Sequence, residues 1–125
     1  MLALDLATLT SPPDWDAVFG RAGPLEVEIG SGKGGFAAAF GLKHPQTRLI
    51  ALEARRTYAE ETRTRVDKAG AQNVLVLQAD AKAMFRRLFA PASLDAVHVY
   101  FPDPWWKRRH FKRRIVEPAF CKVML

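Results

Sequence analysis

The chain has 125 residues, of which 49% are hydrophobic and 26% are charged, as in one soluble globular domain. No apolar run approaches the roughly 20 residues that a membrane-spanning helix needs, and residues 1–9 lack the basic start of a signal peptide. The single cysteine, Cys121, cannot form an internal disulfide, which fits a reducing compartment. We therefore expect a cytoplasmic protein without membrane contact. Its net charge of +6 indicates a polyanionic partner such as nucleic acid.

The first predicted helix starts within the Ser-Pro-Pro-Asp-Trp segment at residues 11–15. Ser11 is the expected N-cap, with a proline in the first turn. Trp15, Val18 and Phe19 are then expected to face the protein interior.

Residues 25–29 alternate between aliphatic and acidic side chains, which predicts a β-strand. Three aliphatic side chains share one face, and Glu26 and Glu28 share the other. We expect Glu26 to be solvated. A glycine-rich segment at residues 30–35 follows, and a helix is predicted to start near Phe36. Strand, glycine loop and helix form the first part of a βαβ unit, and the glycines allow the backbone to approach a ligand closely.

Further strands and helices alternate along the rest of the chain. The strands are predicted at residues 47–53, 73–78 and 94–100, and the helices at residues 54–69, 81–89 and from 114 onward. This alternation predicts an α/β fold with a Rossmann-like open parallel sheet and helices on both faces. We expect one domain over residues 1–125.

Four acidic residues stand at or just beyond the ends of the four predicted strands: Glu28, Glu53, Asp80 and Asp103. Because the carboxyl ends of parallel strands meet at one edge of a sheet, these carboxylates are expected to converge where ligands bind. Each has an ordinary alternative explanation. Asp80, for example, precedes a predicted helix and could simply be its N-cap.

The glycine segment by itself leaves two cofactor classes open. Gly30, Gly32 and Gly35 match the dinucleotide-binding spacing, and Glu53 lies about 20 residues further on, so a nicotinamide-dependent oxidoreductase stays possible. The phosphate-loop pattern fails, because a glycine follows Lys33 where serine or threonine is required. Together, the acids favour S-adenosylmethionine, whose ammonium, ribose diol and adenine amino groups are donors to carboxylates. A pyrophosphate would be repelled by them.

The segment from Lys107 to Arg114 contains six basic residues and no acidic one, so the whole net charge of +6 lies within it. It follows Tyr-Phe-Pro-Asp-Pro-Trp at residues 100–105, in which two prolines restrict the backbone around Asp103. We interpret the basic segment as a nucleic-acid site whose cations neutralise phosphates. The alternative is a solvated charged surface.

These segments together resemble the bacterial tRNA (guanine-N7-)-methyltransferases. The resemblance covers about residues 24–120 and is carried by Glu-Ile-Gly-Ser-Gly-Lys-Gly at 28–34 and, above all, by Phe-Pro-Asp-Pro-Trp at 101–105 with its basic continuation. It implies a class I methyltransferase fold and transfer of a methyl group from S-adenosylmethionine to N7 of a guanine in the tRNA variable loop. A non-catalytic RNA-binding module that kept the fold is the alternative.

The resemblance also implies roles for individual residues. The implied cofactor-binding residues are Glu28, Gly30, Gly32, Gly34, Glu53, Asp80, Ala81 and Asp103. Asp103 is also the implied catalytic acid. The implied tRNA-binding residues are Lys107, Arg109, His110, Phe111, Lys112, Arg113 and Arg114.

Two further expectations concern metals and the length of the domain. No metal is expected, because His44 and His98 lack ligand spacing, and His98 is predicted to be a packed strand residue. Members of this family are longer, so we expect a C-terminally truncated domain whose fourth strand is partly uncovered at a sheet edge. We expect cofactor binding to be retained more fully than turnover.

Overall fold

The computed structural model describes residues 4–100, which form a parallel sheet with helices on both faces. The described strands are β1 (Leu25–Ile29), β2 (Arg48–Glu53), β3 (Val74–Gln78) and β4 (Ala96–His98). The helices are α1 (Trp15–Phe19), α2 (Gly35–Lys43), α3 (Arg56–Ala69) and α4 (Ala81–Leu88), and a 3₁₀ turn spans Leu6–Thr8. The predicted alternation of strands and helices is confirmed over residues 25–98, and several boundaries differ from the prediction by one or two residues. The helix predicted from residue 114 onward lies outside the described residues.

The strand order β3-β2-β1-β4 creates a switch point between β1 and β4. The chain runs outward from β1 through β2 to β3 and then returns to the other side of β1, with all pairings parallel. In open parallel sheets, ligands bind beyond the carboxyl ends of the strands at such a point. The residues that end β1 and follow it are therefore placed for ligand contact.

Two hydrophobic cores cover the two faces of the sheet. On one face, Val27 and Leu52 pack with α1 and with Phe85 and Leu88 of α4. On the other face, alternate residues of β2 and β3 pack against α2 and α3. The sheet is buried on both sides, which explains why β2 and β3 carry nearly continuous aliphatic runs.

Helix α1 differs from its predicted start. The N-cap is Asp14, whose side chain accepts hydrogen bonds from the backbone N–H groups of Asp16 and Ala17, so the prediction of Ser11 was wrong. The predicted inward face is confirmed: Trp15 is buried and its indole Nε1 donates to the Leu88 carbonyl at 2.9 Å. Val18 and Phe19 pack against the same core.

Strand β4 is shorter than predicted and lies at one edge of the described sheet, where its residues are half-buried. In its pairing with β1, His98 lies opposite Glu28 and diagonal to Glu26. The His98 Nε2 and Glu26 Oε1 atoms are 2.7 Å apart. Glu26 is therefore paired rather than solvated, so that prediction was wrong. Within residues 4–100, no helix is long and apolar enough to cross a membrane.

Candidate functional site

The glycine loop after β1 has left-handed backbone at Gly30, Gly32 and Gly34, with φ of 78°, 57° and 92°. A Cβ at Gly34 would lie 2.7 Å from the Thr62 Cα, so only glycine fits there. A Cβ at Gly30 or Gly32 would meet nothing within 4 Å. The loop is thus packed against α3 at Gly34 and faces open space at the other two glycines.

Hydrogen bonds from β2 and α3 fix the path of the loop. The backbone N–H groups of Gly30 and Ser31 both donate to the Leu52 carbonyl, at 2.8 and 3.1 Å. The Thr62 hydroxyl donates to the Gly32 carbonyl at 2.9 Å and lies 3.0 Å from the Ser31 hydroxyl. Sequence reasoning missed this role of Thr62, although a buried hydroxyl on the apolar stripe of α3 was the available signal.

Glu53 ends β2 and closes the same loop through its carboxylate. Oε1 accepts from the Gly32 N–H at 2.9 Å, and Oε2 accepts from the Arg55 N–H at 2.8 Å. The residue is 8% exposed. Each carboxylate oxygen can accept a further hydrogen bond, so Glu53 retains capacity for a ligand hydroxyl.

Glu28 is the most deeply buried acid of the described part of the chain, at 2% exposure. Burial, with a smaller contribution from the negative charge of Glu53, raises the pKa of Glu28 from 4.5 to about 7. Its Oε1 atom has no hydrogen-bond partner among the described residues. Buried polar atoms in folded proteins are normally paired, so this oxygen is placed to accept from a ligand donor.

Asp80 lies beyond the end of β3, at the same edge of the sheet. Its Oδ1 accepts from the Lys82 N–H at 3.0 Å and caps α4, which confirms the N-cap interpretation. Ala81 is buried at the start of that helix. The Ala79 N–H donates to the Glu53 carbonyl at 3.0 Å and holds the end of β3 beside β2. A cofactor role for Asp80 and Ala81 remains a prediction.

His98 is packed, as predicted, and it also joins β4 to β1. Its ring lies 5.1 and 5.3 Å from the rings of Phe36 and Phe40. Its Nδ1 is 2.8 Å from the Tyr100 hydroxyl, and its other nitrogen contacts Glu26. The residues described contain no group of three or more His, Cys, Asp or Glu side chains that could hold a metal ion.

Several predicted site residues lie outside the described residues. These are Asp103 and the basic segment, including Lys107, Arg109, His110, Phe111, Lys112, Arg113 and Arg114. Their roles remain predictions. The residues that the structure does bring to one edge are the glycine loop, Glu28, Glu53 and Asp80.

A family model described as "Putative methyltransferase" matches residues 22–125. The chain belongs to this methyltransferase family. Among curated relatives, a Myxococcus xanthus protein is 50% identical over 98% of this chain and 60% of its own length. One from Anaeromyxobacter dehalogenans is 49% identical over 90% of this chain and 57% of its own length. Both are named tRNA (guanine-N(7)-)-methyltransferase, which confirms the family resemblance. The chain spans 60% or less of these relatives' lengths.

Solved structures support the fold class. The 16S rRNA methyltransferase KamB matches with a TM-score of 0.53 and 19% identity, over 72% of this chain and 43% of its own. A methyltransferase from Thiobacillus denitrificans, solved with S-adenosyl-L-homocysteine, gives a TM-score of 0.51 at 18% identity, over 74% and 32%. The predicted class I methyltransferase fold is confirmed.

Proposed function

We propose that this chain binds S-adenosylmethionine and that the protein transfers the methyl group to N7 of a guanine in tRNA, within the variable loop. The observation that carries the proposal is the unpartnered Oε1 of buried Glu28 beside an open glycine loop. The names of the relatives supply the substrate class. We propose a cytoplasmic tRNA-modifying enzyme whose single domain includes residues 1–125.

The described residues fit this cofactor by their chemistry. Glu28 and Glu53 are acceptors when ionised, whereas the ammonium and ribose diol of S-adenosylmethionine are donors. Gly30 and Gly32 leave open space into which a ligand can enter without meeting a side chain. We propose Gly34, Asp80 and Ala81 as further residues around the cofactor.

The chemistry requires alignment more than proton transfer. S-adenosylmethionine supplies an electrophilic methyl group on sulfur. Guanine N7 carries a lone pair and no proton, so no general base is needed. Holding the two reactants in line can supply roughly 7–11 kcal/mol of the barrier reduction. We propose that Asp103 orients the guanine and stabilises the positive charge that develops on it.

We propose that tRNA binds through the basic segment that follows Asp103. Six cations without an intervening acid favour phosphate contact over a mixed-sign solvated surface. The proposed contacts are Lys107, Arg109, His110, Phe111, Lys112, Arg113 and Arg114.

The buried acid argues against the nicotinamide alternative. In a dinucleotide site, a pyrophosphate lies against the glycine loop and the start of the following helix. Glu28 lies two residues before Gly30, and in its ionised form its charge would repel the phosphates. The RNA-binding alternative without catalysis leaves the unpartnered Glu28 oxygen without a role.

Calorimetric titration with S-adenosylhomocysteine and with NAD tests the cofactor assignment. We expect saturable binding of S-adenosylhomocysteine and none of NAD. The Glu53→Gln variant should bind S-adenosylhomocysteine about tenfold more weakly, because one charged acceptor for the ribose is lost. Tight binding of NAD without any response to S-adenosylhomocysteine would refute the assignment.

Methyl transfer tests the reaction. Radiolabelled S-adenosylmethionine and an unmodified tRNA transcript are incubated with the chain, and the product nucleoside is identified as 7-methylguanosine. The Asp103→Asn variant should lose turnover and keep tRNA affinity. Normal methylation by this variant would refute the role of Asp103, and RNA binding without transfer by the parent would favour the non-catalytic module.

A further inference from the structure

Three residues in and beside the glycine loop form a cluster of two cations and one aromatic ring at the carboxyl edge of the sheet. Lys33 lies within the loop, Arg55 follows β2, and Tyr58 is in the first turn of α3. The Lys33 Nζ lies 6.0 Å and the Arg55 Cζ 5.1 Å from the centre of the Tyr58 ring. We call these three residues the Tyr58 cluster.

Neither cation of the Tyr58 cluster pairs with an acid within residues 4–100. The ion pairs of this part of the chain involve other residues, including Arg48 with Asp16 and Arg56 with Glu60. Lys33 and Arg55 are both exposed. Each cation is attracted to the ring, but the two like charges repel each other. A bound anion would relieve that repulsion.

The nearby acid Glu53 is engaged elsewhere. Its two oxygens accept from the backbone N–H groups of Gly32 and Arg55, not from the guanidinium of Arg55. This carboxylate therefore fixes the two chain segments that carry the cations without pairing with either charged side chain. The Tyr58 cluster is consequently held in place directly beside the proposed cofactor residues.

We propose that the Tyr58 cluster binds a backbone phosphate of the RNA substrate. This inference rests on the proposed function, because an RNA that delivers a base to the cofactor must pass over the carboxyl edge of the sheet. A lysine and an arginine on a partly buried tyrosine provide the charged and amphipathic contacts that RNA backbones use. The cluster adds a contact within residues 4–100 to the tRNA-binding residues that we propose at 107–114.

The test compares two double variants of the 125-residue chain. Lys33→Ala with Arg55→Ala removes the cations of the cluster. Lys43→Ala with Lys68→Ala removes two exposed cations from the last turns of α2 and α3, at the opposite edge of the sheet. Both double variants change the net charge by the same amount. Affinity for an unmodified tRNA transcript is measured from 50 to 300 mM salt, and affinity for S-adenosylhomocysteine is measured at one salt concentration.

We expect the cluster variant to bind tRNA about tenfold more weakly, with the slope of log affinity against log salt reduced by about 1. The control variant should match the parent, and S-adenosylhomocysteine affinity should stay within about twofold in both. An unchanged slope in the cluster variant, or an equal loss in the control, would overturn the proposal.

Three more outcomes separate this proposal from the alternatives. ATP affinity is measured in the parent and in both double variants. If ATP binding disappears in the cluster variant while tRNA binding does not change, the site binds a free nucleotide and the RNA proposal is overturned. If the parent binds S-adenosylhomocysteine and tRNA but the cluster variant equals the parent, only this inference fails. A parent that binds neither overturns the proposed function as well.

Discussion

Glu28 holds its proton in the folded chain at pH values where an unfolded chain would release it. Burial raises its pKa from 4.5 to about 7. Between these values the folded state binds more protons than the unfolded state, so this residue makes the free energy of unfolding fall as pH rises. Burial of this carboxyl therefore lowers stability near neutral pH, so its proposed role is in ligand binding.

Replacing Glu28 with Gln should remove this pH dependence. At pH 8 the variant is expected to have a free energy of unfolding about 1–3 kcal/mol above that of the parent, because no charge is buried. Near pH 4.5 the two should be almost equal. Urea unfolding between pH 4.5 and 8 measures the difference, with Glu61→Gln on the exposed face of α3 as the control. An offset that is constant with pH would contradict the assignment.

Gly34 and Gly30 provide a matched pair for testing the loop, since both have positive φ but differ in surrounding space. Gly34→Ala should destabilise the chain by about 3 kcal/mol or more, because a left-handed alanine also overlaps the Thr62 backbone. Gly30→Ala should cost only about 1–2 kcal/mol of conformational energy. Chemical unfolding compares them, and equal losses would show that Thr62 does not limit the loop.

At the scale of elements, β4 depends on few contacts to stay in the sheet. It has three paired residues, all half-buried, and it lies at the edge of the described sheet. The His98 ring adds hydrogen bonds to Glu26 and to Tyr100. Because Asp103 follows β4 by five residues, the position of this strand bears on the proposed guanine site.

Replacing His98 with Phe separates ring packing from hydrogen bonding. The new ring can still contact Phe36 and Phe40, whereas Glu26 and the Tyr100 hydroxyl each lose a partner. We expect a loss of about 1–3 kcal/mol in the free energy of unfolding. Deuterium exchange of the β4 backbone amides should also be faster in the variant than in the parent, whereas exchange in β3 should not change. An unchanged stability and unchanged exchange would mean that packing alone holds the strand.

At the scale of the whole molecule, the features that follow from local sequence patterns were predicted correctly. The alternation in β1 and the aliphatic runs of β2 and β3 predicted a parallel α/β sheet, because those patterns follow from burial on one or both faces. The glycine spacing and the acids at strand ends predicted the edge where Glu28 and Glu53 meet. The burial of Glu28 and its unpartnered oxygen required the packed structure.

Two predictions were wrong, the N-cap of α1 and the solvation of Glu26, and both depend on contacts with residues far away in the sequence. Ser11 and Asp14 are both good N-cap residues, and the helix starts after Asp14, where the Trp15 indole reaches the carbonyl of Leu88, 73 positions away. Glu26 looked solvated because its partner, His98, is 72 positions away and reaches it only through the β1–β4 register. Periodicity within one segment carries no information about such pairings.

Charge is unevenly distributed over the whole chain, which allows cofactor and RNA binding to be separated experimentally. Outside residues 107–114 the chain has 13 basic and 13 acidic residues, so its net charge there is zero. Changing Lys112, Arg113 and Arg114 together to Ala should weaken tRNA binding and reduce the salt slope by about 2–3, because three phosphate contacts are lost. Affinity for S-adenosylhomocysteine should not change.

The matched control for this triple variant removes three exposed cations from the helices: Lys43, Lys68 and Arg87. Its net charge equals that of the triple variant, so a purely electrostatic attraction at long range would weaken tRNA binding equally in both. A larger slope change in the basic segment means that its cations contact phosphates directly. If the triple variant keeps the parent slope, the segment is a solvated surface and tRNA must bind elsewhere.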